Sequence, residues 1–345
     1  MEQELKILAV VACAMTGILF MLLIYLLIRK YRENNRQQKL QKYVEQLGPK
    51  VFFYLQNPDS PFLIRINSPL KKAALEMLLS KYADMLEGEK EKRALKNLAL
   101  TYLKDFYQDR LYSRNWSIRM NTLYAIEDFY LIELQEIIIK LMENSQKKSK
   151  EEKIQILRIL SSFQYKDIKK WINTSEPFSE IDYRNIVSRL NEDIFSSFIE
   201  SFQEFGEVLQ LALLDVISIK KDLNYFPFLE GIFQNGQGEL RIRALKAIAS
   251  IGVVQDIHSY MRLAESDHWQ ERMMLAKLLG SQRNESHLSV LKKLLQDPTW
   301  WVRSQSAASI SKYKNGQAIL TDVLEHSDDP YARDMAWEWI NKGAR

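Results

Sequence analysis

The longest apolar run comes first: Ile7 to Ile28 is 22 residues without a charge, interrupted only by Thr16, Gly17 and Tyr25. At about 1.5 Å per helical residue it spans roughly 30 Å, the thickness of a bilayer's hydrocarbon core, so a transmembrane helix is expected there. After it, apolar positions recur at three- and four-residue spacing with polar positions between them, which predicts amphipathic helices throughout and no strands. Residues 31–56 read as a polar helical extension ending in Phe52-Phe53-Tyr54, and Asn57-Pro58-Asp59-Ser60-Pro61 breaks it. Ser68 then suits an N-cap with Pro69 at N1, for a helix that Gly88 is expected to stop. A further amphipathic segment runs from Glu89 to Tyr112.

From there the pattern repeats. Helices of one character start near Asn115, Ser149, Glu180, Glu207, Gly238, Asp267, Pro298 and Pro330, at intervals of 34, 31, 27, 31, 29, 31 and 32 residues. Shorter apolar segments lie between most of them, at Leu131 to Met142, Ile194 to Phe205, Tyr225 to Phe233, Val254 to Leu263, Leu288 to Leu295 and Ala318 to Leu324. Self-similarity at this period predicts helical hairpins that cover their apolar stripes by stacking on their sequence neighbours. The clearest copy is Asp297 to Tyr313. Asp297 suits its N-cap and Pro298 its N1 position, while Ala307, Ala308 and Ile310 share a face narrow enough for a close helix neighbour. A basic residue recurs near the start of the second helix as Arg119, Lys153, Arg184, Arg243, Arg272, Arg303 and Arg333, with Gln210 the exception.

This unit resembles the HEAT repeat, in the short bacterial form called PBS-lyase HEAT-like. The features that carry the resemblance are the helix-opening Asp267, Asp297 and Asp329, the basic residue a turn later, and Ala247, Ala276, Ala307 and Ala336 after it. The resemblance is strong over 238–341 and periodic but weaker over 115–235. The family's Val-Arg pair stands here as Ile118-Arg119, Ile242-Arg243 and Val302-Arg303, but as Glu271-Arg272 and Ala332-Arg333 elsewhere. The resemblance implies an all-α fold, an α-solenoid of about eight hairpins, with second helices on the concave side. It also implies an Asp–Arg ladder along the solenoid, through Arg119, Arg243, Arg272, Arg303, Arg333, Asp267, Asp297 and Asp329. Exposed pairs contribute about 0–1 kcal/mol each, so apolar stacking is expected to supply most of the stability. The expected organisation is an N-terminal tail over 1–6, a transmembrane helix over 7–28 and a basic juxtamembrane helix with linker over 29–67. A helical cap over 68–112 and the solenoid over 113–345 follow.

Charge places this architecture. The formal net charge is +4, yet residues 29–50 alone hold seven Lys/Arg against two Glu, so the rest of the chain sums to about −1. The basic residues follow the apolar run, as a cleaved signal peptide would not have them. By the positive-inside rule the long C-terminal part is therefore cytoplasmic and the N-terminus outside, giving a single-pass protein of the plasma membrane. Arg29, Lys30, Arg32 and Arg36 also offer anionic lipid headgroups about 1 kcal/mol each. A near-neutral repeat region disfavours nucleic acid. The Lys-, Ile- and Asn-rich composition suits an AT-rich bacterial genome.

Candidate chemistry is sparse. Cys13 is the single cysteine and lies within the apolar run, which excludes a disulfide framework and leaves no thiol nucleophile in the soluble part. His258, His268, His287 and His326 stand in no metal-ligand spacing. The cluster Gly231, Gly236 and Gly238 reads as the end of one helix and the start of the next, and no Gly-x-Ser-x-Gly elbow occurs. Acidic pairs such as Glu151-Glu152 and Asp328-Asp329 stand at helix starts, where the macrodipole favours them. The Asn-x-Ser/Thr triplets at Asn115, Asn173 and Asn284 would be glycosylated only in a lumen. No catalytic, cofactor-binding or metal residue is assigned.

Tryptophan placement points outward. Trp116, Trp269, Trp300 and Trp301 stand near the starts of second helices, and Trp337 and Trp339 lie in the last one, which has no following unit to cover it. Trp269, Trp300, Trp301, Trp337 and Trp339 are the protein-binding candidates, since Trp and Arg dominate interface hot spots. The alternative is that each packs between repeats. Adjacent helical residues point about 100° apart, so only one of Trp300 and Trp301 is expected to face a partner. The function expected is a membrane-anchored, non-enzymatic scaffold for a protein partner, a membrane enzyme such as an envelope glycosyltransferase being one possibility. A HEAT-like DNA glycosylase or other nucleic-acid-binding HEAT protein is the alternative, and a bilin lyase has nothing specific behind it.

Overall fold

The computed structural model describes residues 2–62, 64–144, 148–172 and 178–342, with side chains from Ala14 onward, and its described residues are helical with no strand. Cys13 and Asn173 lie outside these described side chains. The chain divides into two compact units, Met1–Tyr165 and Lys166–Arg345.

The first unit opens with α1, Glu2–Gln56, which runs without a break from the apolar stretch through Pro49 to the Asn57 turn. The expected span over 7–28 and the juxtamembrane helix that follows it lie along this one helix, while the linker residues 57–67 lie beyond its end. Its apolar N-terminal part, described from Ala14, is long and apolar enough to cross a membrane and is wholly unburied. At its other end Leu47, Val51 and Leu55, one turn apart, are buried where α1 packs on α2, Pro69–Ala83. Ser68 caps α2, its hydroxyl accepting the Lys71 N–H at 3.2 Å, with Pro69 at the first position. The helix ends at Ala83, before Gly88, which instead precedes α3, Glu89–Leu111. Among the described residues three further α-helices follow in this unit: α4, Trp116–Asp128; α5, Gln135–Glu143; and α6, Lys150–Ser162.

The second unit repeats one motif. After the short α7, Lys169–Ile172, come α8, Glu180–Val187; α9, Glu192–Glu200; α10, Glu207–Lys220; α11, Phe226–Asn235; and α12, Gly238–Ile251. Then follow α13, His258–Met261; α14, Trp269–Gln282; α15, Leu288–Leu294; α16, Trp300–Ile310; α17, Gly316–His326; and α18, Pro330–Lys342. The second helices α8, α10, α12, α14, α16 and α18 pack side by side in that order, and α11, α15 and α17 each pack on the second helix that follows. This stacking of hairpins is an α-solenoid.

Burial explains why the stack holds. A first helix buries one stripe, as α11 does with Phe226, Leu229 and Phe233. A second helix is covered on several sides, so α10 buries Leu209, Ala212, Leu213, Leu214, Val216 and Ile217. Full burial of one such large side chain contributes roughly 1.5–3 kcal/mol, far above any exposed ion pair. Ala247, Ala276, Ala307 and Ala336 are all fully buried, the small residues that let neighbouring helices approach. Gly231 lies inside α11 and does not end it, whereas Gly238 opens α12 with φ +57°.

Helix starts are locally encoded. Ser179 and Asp182 form a capping box at α8, the Ser179 hydroxyl accepting the Asp182 N–H at 3.2 Å while the Asp182 carboxylate accepts the Ser179 N–H at 3.1 Å. Ser179→Ala should lower stability by about 1 kcal/mol. Urea unfolding followed by circular dichroism measures this, and an unchanged midpoint would contradict the role.

Candidate functional site

At three second-helix starts the recurring basic residue first acts on its own turn. The chain enters these helices from a loop whose carbonyls have no helical partner, and a long cation folded back over the loop supplies their donors. Arg119 donates to Ser113 O at 2.8 Å, Arg272 to Ser266 O at 2.6 Å, and Arg303 to Asp297 O at 2.7 Å and Pro298 O at 3.0 Å. Gln210 is not an exception to this work, since its amide donates to Phe202 O at 2.9 Å.

The ladder residue of α12 is Arg241, not Arg243. Arg241 donates to Phe233 O and to the Glu271 carboxylate at 2.7 Å, and positions 210, 241, 272 and 303 share one register of 31 residues. The Ile242-Arg243 pair drew attention to the wrong arginine, and the constant interval is the signal that would have found the right one. Arg243 turns to another face, where it donates to Asp215 at 2.5 Å, Glu239 at 2.7 Å and Glu180 at 2.9 Å. Glu180 opens α8, so the starts of α8 and α12 meet across α10 and the second helices converge on this face.

Of the expected ladder, the structure brings one Arg–Asp pair together. Arg272 grips Asp297 through two bonds, at 2.6 and 3.0 Å. Asp297 is buried, and burial pushes its carboxyl up, but Arg272 and the Thr299 N–H at 2.8 Å outweigh this and hold it below the usual carboxylate range. That work corrects its expected role. Asp297 is not the N-cap of α16, which begins at Trp300 after Thr299, because the carboxylate is drawn to the Arg272 guanidinium on α14. The partner of Arg119 is Glu152, at 2.7 and 2.8 Å, where hydrogen bonding from the guanidinium holds the carboxyl low. Arg303 lies 5.0 Å from the Tyr331 ring centroid and forms no ion pair with Asp329, which accepts the Ala332 N–H at 2.8 Å instead. Arg333 is exposed and, among the described residues, has no acidic partner, and Asp267 has no hydrogen-bonded cation.

The tryptophans divide by exposure. Trp300 and Trp301 are 44% and 57% exposed, and their rings meet edge to face with centroids 4.8 Å apart. The expectation that only one faces outward is therefore corrected: in the first turn of α16 both side chains reach solvent and pair with each other. Trp337 is 59% exposed, with Tyr331 exposed on the same helix. Trp269 and Trp339 are half-buried, the latter under the Lys342 ammonium 4.8 Å from its ring centroid. Trp269, Trp300 and Tyr331 stand 31 residues apart at the starts of consecutive second helices, an aromatic edge along this unit.

Other candidates have structural partners. Burial of His287 lowers its proton affinity, and His326 lies 3.3 Å from Asp322 on an exposed helix face. Among the described residues no three His, Cys, Asp or Glu side chains gather as metal ligands. Asn115 and Asn284 accept backbone N–H groups of their own turns, from Ser117 at 2.9 Å and Ser286 at 3.0 Å. In the first unit, a cleft lined by Leu86, Leu95, Phe129 and Tyr130 carries Lys96, already committed to Glu133 at 3.0 Å.

Side-by-side hairpins with an arginine-stapled turn define an α-solenoid repeat scaffold. Residues 258–339 match the family model of HEAT repeats, which identifies this stretch of the chain as HEAT repeats. No curated protein matches the chain. A crystal structure of an engineered protein aligns with 81% of this chain and 86% of its own length, at 13% identity and a TM-score of 0.32.

Proposed function

We propose that this protein is a non-enzymatic scaffold, held by α1 in the plasma membrane with its N-terminus outside and its repeats in the cytoplasm, that docks a protein partner. A membrane enzyme, such as an envelope glycosyltransferase, is the class of partner this placement favours. The observation that carries the reading is the continuity of α1, whose unburied apolar part and buried Leu47, Val51 and Leu55 belong to one helix. A helix apolar all round with nothing packed on it is suited to lipid, and its other end ties it to a folded unit. Arg29, Lys30, Arg32 and Arg36 follow the span and suit anionic headgroups on the same side.

The docking surface favoured is the aromatic edge of the second unit at Trp300 and Trp301. Two large rings held against each other present rigid apolar area at small entropic cost, as hot spots do. Trp300→Ala/Trp301→Ala should leave the thermal midpoint within about 2 °C, because the rings are solvent-exposed, and should abolish cross-linking to the partner in intact membranes. Unchanged cross-linking would reject this surface. Extraction of the full chain by alkaline carbonate, or cleavage of its repeats by protease added outside intact cells, would reject the anchor or its topology.

A further inference from the structure

Between its apolar part and its packed end, α1 carries a stretch that belongs to neither. Every described side chain from Ala14 to Lys39 is exposed. Cover begins at Leu40, Tyr43 and Val44, which are half-buried, and is complete at Leu47. Residues 29–39 therefore follow the span and precede the fold, yet the helix does not break there.

The sequence supplies the reason. No Gly or Pro stands between Gly17 and Gly48, and apart from Asn34 and Asn35 the stretch is mostly Arg, Lys, Gln and Glu, whose straight side chains lose little freedom in a helix. Successive turns are tied along its surface: Gln37 donates to Glu33 at 2.8 Å, Gln41 to Glu45 at 3.2 Å, and Arg36 lies 3.8 Å from Glu33. A short polar helix standing alone is marginal in water, because its nucleus is costly. Here one end is nucleated in the apolar span and the other on α2, so the residues between only propagate a helix already formed. The packed end also has a direction. Lys71 lies over the Tyr43 ring at 5.8 Å, a Cβ on Gly48 would stand 3.8 Å from Leu78, and the Phe52 and Tyr82 ring centroids are 6.1 Å apart. Partner numbers rise together along both helices, so α2 runs parallel to α1 and away from the span.

Length decides what the stretch can reach. At about 1.5 Å per residue, Leu40 stands roughly 18 Å past Ile28 and Gln46 about 27 Å. The headgroup layer outside the hydrocarbon is only about 6 Å deep. Arg29, Lys30 and Arg32 fall within it. Lys39 and Lys42, about 17 and 21 Å past Ile28, stand beyond it by more than a Debye length of about 8 Å.

We propose that residues 29–39 are a rigid stalk that holds the packing of α1 on α2 clear of the headgroup layer, so that a partner docking there does so through a soluble part that reaches beyond the headgroups. The stalk rests on the anchor proposed above and adds the height at which that anchor presents the first unit. The competing arrangement is a helix that bends after the span and lies on anionic lipid through Arg36, Lys39 and Lys42.

The test uses the full chain in nanodiscs, with Cys13→Ser removing the native thiol and Gln46→Cys carrying a donor dye. Energy transfer to acceptors on the lipid headgroups reads the height of the label, once in zwitterionic lipid and once in phosphatidylglycerol. The expected height is about 20 Å in both, the helix rise corrected for the headgroup layer and for a tilt of about 20°. Deletion of residues 33–39 removes about two turns, and should lower the label by about 10 Å while turning it only about 20° around the helix axis. Because those residues are exposed, the deletion should leave the thermal midpoint within about 2 °C, which shows that the variant folds. A height below about 10 Å in either lipid, or one that the deletion leaves unchanged, overturns the stalk. Failure of the chain to enter the discs is a separate result, and it rejects the anchor together with the stalk.

Discussion

Arg272→Ala should destabilise the Lys166–Arg345 unit by about 3–5 kcal/mol, the cost of removing one partner from a buried ion pair. The two side chains are 13% and 5% exposed, so Asp297 would keep a charge with little water to solvate it. The variant also loses the donor that satisfies Ser266 O. Replacing both members, as Arg272→Met/Asp297→Leu, should cost less than the arginine change alone, because no orphaned charge remains. The pair also predicts acid sensitivity. A carboxyl whose folded proton affinity is depressed adds stability above its ordinary pKa of about 3.9, and loses it as pH falls through the folded value. Wild-type stability should therefore fall below about pH 4 more steeply than that of the double variant. Urea unfolding as a function of pH measures both effects, and a loss under 1 kcal/mol for Arg272→Ala would show that the pair is not a structural tie between neighbouring hairpins.

Gly280→Val should be nearly as damaging, by roughly 3 kcal/mol, for a steric reason. A Cβ at Gly280 would stand 2.4 Å from the Ser309 side chain and 2.8 Å from its Cα, so α14 and α16 would have to separate. Gly280→Ala meets the same obstruction but gains about 1 kcal/mol in helix propensity, leaving a net loss of about 1–2 kcal/mol. Gly231→Ala is the control within α11. Nothing lies within 4 Å of its added Cβ, so propensity acts alone and stability should rise by up to about 1 kcal/mol. Equal effects at Gly280 and Gly231 would show that helix approach does not govern the first site.

The two glycines also mark how far the chain could be read without coordinates. Both stand in helices, and their sequence surroundings do not reveal which one touches a neighbour. Trp300 and Trp301 were legible as candidates because their position at a helix start is local, but their edge-to-face pairing depends on rotamers in a first turn that nothing covers. Arg241 was overlooked because an Ile-Arg pair is a local pattern, while its carbonyl and carboxylate partners lie eight and thirty residues away.

The order of apolar and polar residues by itself determined the helical class, the thirty-residue period, the N-terminal apolar stretch and the capped start of α2. Each follows from interactions within a few residues, where 3.6-residue periodicity, capping and proline geometry act. Tertiary structure alone decided which arginine ties which turn, and that Asp297 answers Arg272 before it caps a helix. These depend on which side chains adjacent helices bring within a few ångströms, and on what water that contact excludes.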